Sequence, residues 1–302
     1  MPTYNLKRNT QAIVVSGGNR YNLDISDISF SQTFREESYP VQTLHGLIET
    51  SHTANYFEGS VTNTAGKASF KFTIPALVES DFTVIETLLL GVTSFDLFIT
   101  SDTETFKLEN AVITNGTFVI EKSRPLSIDI QGEAGKLTRN ATVTGSLQAR
   151  SSTRTYTVAP IIEATINSTT LDSITKVAIE LQNQITWTAY KTIQASLAVT
   201  SAANSMYPSS FTINKKILSG SISQYLTDTN STSMNTWDTD ASITIKAGNG
   251  LSGSSFRGFS FGPATCSFTN RMGVAEVYQQ NYDWRLVQNT SNLATILKYE
   301  TD

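Results

Sequence analysis

The chain has 302 residues, of which 16% are charged and 39% hydrophobic, and its net charge is -4. So few charges among abundant Ser, Thr and Asn suit polar-faced strands and turns and exclude a charge-laced helical bundle. The acidic balance excludes a grip on nucleic acid driven by phosphate neutralisation, and a single cysteine, Cys266, excludes an intrachain disulfide framework.

In chain order, residues 1–12 read as an extended arm. ISFSQTF from Ile28 and ASFKFTIP from Ala68 alternate apolar and polar residues and predict strands. Between them YPVQTLHGLIETSHTANYFEG is a long loop holding both histidines. His45 and His52, even with Glu49 or Glu58, have no metal-site spacing and read as loop residues. SDFTVIETLLLG predicts one helix, with Ser80 as N-cap, Asp81 at its positive end, Phe82, Ile85, Leu88 and Leu89 on one face and Gly91 closing it. FDLFIT, a hairpin turn at Ser101, Asp102 and Thr103, then FKLENAVI, GTFVIE and PLSIDIQGE complete a run of strands separated by turns. In the last, Leu126, Ile128 and Ile130 point one way and Ser127, Asp129, Gln131 and Glu133 the other.

Residues 134–160 are polar, with Lys136, Arg139, Arg150 and Arg154, and read as a connector. Beyond it the pattern returns. The stretch FRGFSFGPATCSFTNRMGVAEVYQQNYDW from Phe256 matches the one from Phe106 at an offset of 150, which sets Phe118 opposite Phe268. FTINKKILSGSI from Phe211 matches VTNTAGKASFKF from Val61 at the same offset, and IELQNQI from Ile179 matches ISFSQTF at 151. The expectation is two homologous domains: residues 1–140 with an N-terminal arm, a linker 141–158, and residues 159–302 with a C-terminal arm. In the second, AYKTIQASLAVTSAANSMYPSS is again a long loop. TDTNSTSMNTWDTD keeps only Met234 and Trp237 as spaced apolar positions, so its helix is shortened or unwound, and SNLATILKYE predicts a helical turn through Leu293, Ile296 and Leu297. VYQQNYDW places Gln279 opposite Asp129 and Asp283 opposite Glu133, with Asn281 between them. Its Tyr278, Tyr282 and Trp284 share the other parity, as a carbohydrate platform or a packing stripe.

GNGLSG at 248–253 fits the G-x-G-x-x-G pattern of dinucleotide sites, but that pattern needs a following helix. ASITIK before it and FRGFSFGPATCSF after it are strand-like, so the loop reads as a hairpin turn and the counterpart of Ser101–Thr103. Cys266 reads as a buried, inert thiol. No G-x-S-x-G elbow is present, and Asp24, Asp27, Glu36 and Glu37 form no recognisable acid pair. No catalytic residue, metal ligand or cofactor is predicted. The start MPTYNLKRNTQAIVV lacks a signal-peptide pattern and no apolar run reaches membrane-span length, so cytoplasmic assembly is expected.

The order of ISFSQTF, ASFKFTIP, SDFTVIETLLLG, FDLFIT, FKLENAVI, GTFVIE and PLSIDIQGE, followed by its repetition, resembles the tail tube proteins of long-tailed, non-contractile (siphovirus) bacteriophages, in particular those with two fused tube domains. The resemblance implies a mainly β fold of two tandem homologous β-sandwich or split-barrel domains, each with one helix or helix remnant against the sheets. It also implies a structural virion protein, not an enzyme. Sheets would join edge to edge in trimeric, pseudo-hexameric rings, and the rings would stack into a tube through which genome DNA passes. The implied partners are the chain itself, a tape measure protein inside the tube, and tail terminator and distal tail proteins at its ends, with transient non-specific passage of DNA and no membrane insertion. The implied location is the virion tail, assembled in the host bacterial cytoplasm. Ser127, Asp129, Gln131, Glu133, Gln279, Asn281 and Asp283 become candidates for the tube lumen, a weakly acidic and amide surface offering phosphates no partners. Two alternatives stand beside it: a two-domain carbohydrate-binding or adhesion β-sandwich, and a related tail terminator or distal tail ring protein.

Overall fold

A computed structural model describes residues 9–37, 40–42, 48–50, 61–121, 124–149, 161–187, 207–208, 210–228, 240–249, 257–274, 276–287 and 293–301. The first half runs β1 (Gln11–Ser16), β2 (Asn19–Leu23), β3 (Ile28–Glu37), the short pair β4 (Pro40–Gln42) and β5 (Ile48–Thr50), β6 (Val61–Ile74), the helix α1 (Glu79–Gly91), β7 (Phe95–Thr100), β8 (Thr105–Glu121), β9 (Ser127–Ala134) and β10 (Lys136–Arg139). After β11 (Ser146–Leu147) come β12 (Ile161–Ile166), β13 (Thr169–Thr170), β14 (Ile174–Trp187), β15 (Phe211–Tyr225), β16 (Asp240–Asn249), β17 (Arg257–Val274), β18 (Tyr278–Leu286), a 3-10 turn at Leu293–Thr295 and β19 (Leu297–Thr301). The chain is mainly β, as composition predicts, and its sheet is open.

In the first half β1 pairs with β2 and β7, β7 with β8, and β8 with β10, while β3, β6, β9 and β8 pair in that order. The second half has the same connections: β12 with β13 and β16, β16 with β17, β17 with β19, and β14, β15, β18 and β17 in order. β8 and β17 are long enough to serve two layers, so each half is a pair of sheets over a common core.

Two local features recur with these ladders. β1 turns into β2 through Gly17 and Gly18, and β12 into β13 through Asn167 and Ser168, all four at positive φ, as a tight two-residue hairpin turn requires. A bulge sets Phe95 and Leu97 against Ala111 and Leu108, and another sets Ile243 and Ile245 against Ala264 and Phe261. With the hairpin turns as the fixed point, the ladders carry Leu108 onto Phe261 and Ile28 onto Ile179. They carry Phe118 onto Asn270 and Asp129 onto Asp283, not onto Phe268 and Gln279. Differences of a few residues in the connections move the offset from strand to strand, which an ungapped comparison does not follow.

FKLENAVI and GTFVIE are one strand. No turn forms at Asn115–Gly116, because both residues stay in the ladders to β9 and β14, and a Cβ at Gly116 would lie 2.5 Å from Leu89 Cδ2. β17 is likewise continuous through its own glycines. The helix begins at Glu79 after an N-cap at Val78 that makes no side-chain bond, so Ser80 lies inside the helix. It ends on Val92 in the left-handed region at φ 52, one residue past Gly91. Its last carbonyls are met from the other half of the chain: Asn183 donates to Leu89 O at 2.9 Å and Lys216 Nζ to Leu90 O at 2.6 Å. The expected arm is already strand at Gln11, with Ala12 and Val14 buried. Of the expected linker, residues 141–149 lie along the first half, Ala141 N donating to Thr105 O and β11 pairing in parallel with β2. The C-terminal helical turn is only the 3-10 turn, and Leu297 is buried at the start of a strand.

The halves share a core. Phe82 on α1 packs on Phe118 and on Phe259, with ring centroids 6.0 and 5.8 Å away, and Phe118 and Phe259 are 4.8 Å apart. Each such ring, fully buried, contributes about 1.5–3 kcal/mol. His45, His52, the segment 229–239 with its expected helix remnant, most of both long loops, residues 150–160 and residues 250–256 of the glycine-rich loop lie outside the described residues. That loop does connect strand to strand: Gly248 faces Gly258 and Asn249 faces Arg257 in antiparallel register.

Candidate functional site

One ladder crosses both halves. β14 lies antiparallel along β8, with Lys176 opposite Glu121 and Gln182 opposite Asn115, so β3, β6, β9, β8, β14, β15, β18 and β17 form a continuous run of strands. Because facing residues share a side of the sheet, the register defines a row from strand to strand: Thr73, Asp129, Thr117, Glu180, Ser219, Arg285 and Ser267. The neighbouring rows on that side are also polar, among them Lys71 with Gln131 and Asn115, and Ser221 with Asp283 and Thr269. Positions of opposite parity, including Phe72, Ile128, Ile130, Ile179, Ile222 and Tyr282, are buried.

All seven sequence-derived candidates sit on this polar side. Ser127, Asp129, Gln131 and Glu133 come from β9, and Gln279, Asn281 and Asp283 from β18. Tyr282 and Trp284 belong to the core and Tyr278 is exposed, so they form no flat aromatic platform.

The electrostatics differ from a weakly acidic lining. Lys67, Lys71, Lys176, Arg271 and Arg285 share the side with Glu121, Asp129, Glu133, Glu180 and Asp283. Lys67 Nζ holds Glu133 Oε1 at 2.5 Å, and Trp187 Nε1 donates to Glu133 Oε2 at 2.9 Å. Arg271 pairs with Asp283, while Thr73 Oγ1 donates to Asp129 Oδ1 at 2.5 Å. Asn115 Nδ2 donates to Glu180 Oε1 at 3.0 Å across the junction of the halves. The surface is therefore near charge balance, with Glu133, Asp283, Asp129 and Glu180 held by neighbours on adjacent strands and Glu121 by Arg124. Sequence reasoning omitted the cations because it stopped at Asp283 on β18, two residues short of Arg285, and left out the strands beside β9 and β18. The alternation in KASFKFTIP, with Lys67 and Lys71 in step with Ser69, carried the missing signal.

The run of strands has two ends. β3 pairs only with β6, and beyond Ser267 β17 pairs only with β18, among the described residues. Ile120, near the end of β8, is 2% exposed under β14 and the shared core, whereas Met272 at the matching place on β17 is 67% exposed. Among the described residues no group of His, Cys, Asp and Glu is placed to hold a metal ion, and no helix is long and apolar enough to cross a membrane. Cys266 is buried, and burial pushes its thiol up to about 12, away from nucleophilic use near neutrality.

No curated protein matches the chain. Residues 2–301, nearly its whole length, match the Bacteriophage Baseplate Tube Protein Family, and the two-layered β fold with its polar-faced open sheet agrees with a structural component of a phage tail. The chain belongs to the Bacteriophage Baseplate Tube Protein Family.

Proposed function

We propose that the chain is the repeating subunit of the tail tube of a long-tailed, non-contractile phage, built from a doubled sheet module. Three copies close a ring of six units and rings stack into a conduit for genome DNA. The observation that carries this reading is the β8·β14 junction: one half already continues the sheet of the other edge to edge, and the outermost strands, β3 and β17, are the counterparts of the two that meet inside. An open edge promotes uncontrolled pairing, and closure into a barrel removes it. The polar side of the sheet faces the bore, and its near balance of carboxylates and cations, with Lys67 and Arg271 already ion-paired, gives a passing phosphate chain little net charge to bind.

In this reading the chain is no enzyme. Its partners are copies of itself, a tape measure protein within the tube, and terminator and distal tail proteins at the ends, and it assembles in the host cytoplasm. The family's description as a baseplate tube favours a second reading, in which only a few rings stack at the baseplate end. Electron microscopy of the purified protein tests both. Long hollow tubes support the first and short capped stacks the second, while a persistent monomer that binds glycans points to adhesion and overturns both.

A further inference from the structure

The junction inside the chain carries a register for a junction between chains. On β8, β14 faces Ile179 to Phe118, Glu180 to Thr117 and Leu181 to Gly116. Transferred to the counterpart strands, that register sets Phe30 opposite Phe268, Ser29 opposite Thr269 and Asp27 opposite Arg271. We propose that β3 of one copy docks antiparallel on β17 of the next in this register, head to tail. The inference rests on the ring reading above and specifies its contact.

Three observations support it. Cys266 and Ser267 are flanked by β16 on one side and β18 on the other, so the side of β17 free beyond Ser267 is that of β16, and β16 itself stops an incoming strand from sliding further. This parallels β8, where β14 continues beyond β7 on the side away from β9. Three of the four facing pairs suit one another, the fourth being Ile28 opposite Asn270: two phenylalanines on the core side, two hydroxyls on the polar side, and a carboxylate beside an arginine that already holds Asp283. A slip of two residues one way would push Phe30 onto Cys266, which β16 covers, and a slip the other way would set Asp27 against Gly273. A slip of one would turn the polar row into the core.

Cysteine cross-linking tests the register. Ser29 and Thr269 are exposed on the polar side, and facing residues of an antiparallel pair lie about 4.5–5.5 Å apart, within disulfide reach. Ser29→Cys and Thr269→Cys proteins, mixed, assembled and oxidised, should give a disulfide-linked dimer containing one of each. The Ser29→Cys/Thr269→Cys double variant should give a covalently closed trimer. The mixture of Asp27→Cys with Gly273→Cys, the pair that a slip of two residues would set face to face, should give neither. Cross-linking by that shifted pair instead, or hollow tubes without any Ser29–Thr269 link, would overturn the register while leaving the ring reading intact. Wild-type protein that forms no ring or tube would overturn the ring reading and this contact with it.

Discussion

Asn183 and Leu89 come from opposite halves of the chain, and the side-chain amide of the first donates to the carbonyl oxygen of the second at 2.9 Å. The same amide donates to Ile113 O at 3.0 Å, and Asn183 is buried. One side chain thus ties the end of α1 to the strand on which the halves meet. Asn183→Leu should strand two buried carbonyls and destabilise the chain by about 1–3 kcal/mol. Asn183→Asp should cost more, since a carboxylate would face those two oxygens. Denaturant midpoints measure both, and an unchanged midpoint for the leucine variant would show that the bonds do not tie the halves.

A second weak point is the face-to-face pair Phe70 and Gly132 on β6 and β9. A methyl group at Gly132 would lie 2.1 Å from Phe70 Cζ and 2.5 Å from Val112 O, so both ring and backbone obstruct it. Gly132→Ala should cost about 1–3 kcal/mol or more by overpacking. Adding Phe70→Leu relieves the ring but not the carbonyl, so the double variant should recover only part of the loss. Full recovery would mean that the backbone contact carries no weight.

Alkaline stability follows from two buried acids. Burial raises the Tyr282 hydroxyl from its ordinary 10.0 to about 12, partly offset by the Gln224 amide that donates to it at 3.0 Å, and raises the Cys266 thiol from 9.0 to about 12. Both are raised in the fold, so the folded chain holds its protons where the unfolded one has released them. The associated stability is complete below pH 9.0 and is lost as pH rises toward about 12. Denaturation midpoints should fall across that window. Cys266→Ala should flatten the early part, and a thiol reagent should label Cys266 only once the chain unfolds.

How much of this was legible in the sequence varies with the range of the interaction that decides it. Alternation in PLSIDIQGE fixed the sides of β9, and Phe82, Ile85, Leu88 and Leu89 fixed the buried face of α1, because both depend on local periodicity. The ends of α1 did not follow from Ser80 and Gly91. Its cap contacts come from Asn183 and Lys216, about a hundred residues away. Asn115–Gly116 looked like a turn because local propensity favours one, and ladders to β9 on one side and β14 on the other held it straight. The polar side was half visible for a related reason: alternation marks the acids of β9 and β18, while their partners stand on other strands, Lys67 on β6 far along the chain and Arg271 on β17 across a hairpin, and only the register brings them opposite.

The last prediction concerns passage of DNA along that side. Asp129 is held by Thr73 and Asp283 by Arg271, so lysine at either position does more than delete an acid. Asp283→Lys leaves two like charges together, the new ammonium beside the Arg271 guanidinium, both turned to the polar side. A phosphate chain entering the bore would then displace counterions and bind, where before it met neutralised pairs. Phage carrying Asp129→Lys and Asp283→Lys should assemble tails yet eject DNA more slowly, with the Asp283 variant the slower, and added salt should restore the rate. Ejection measured by dye binding to released DNA decides the matter. Normal rates at low salt in both variants would remove this side of the sheet from the path of DNA.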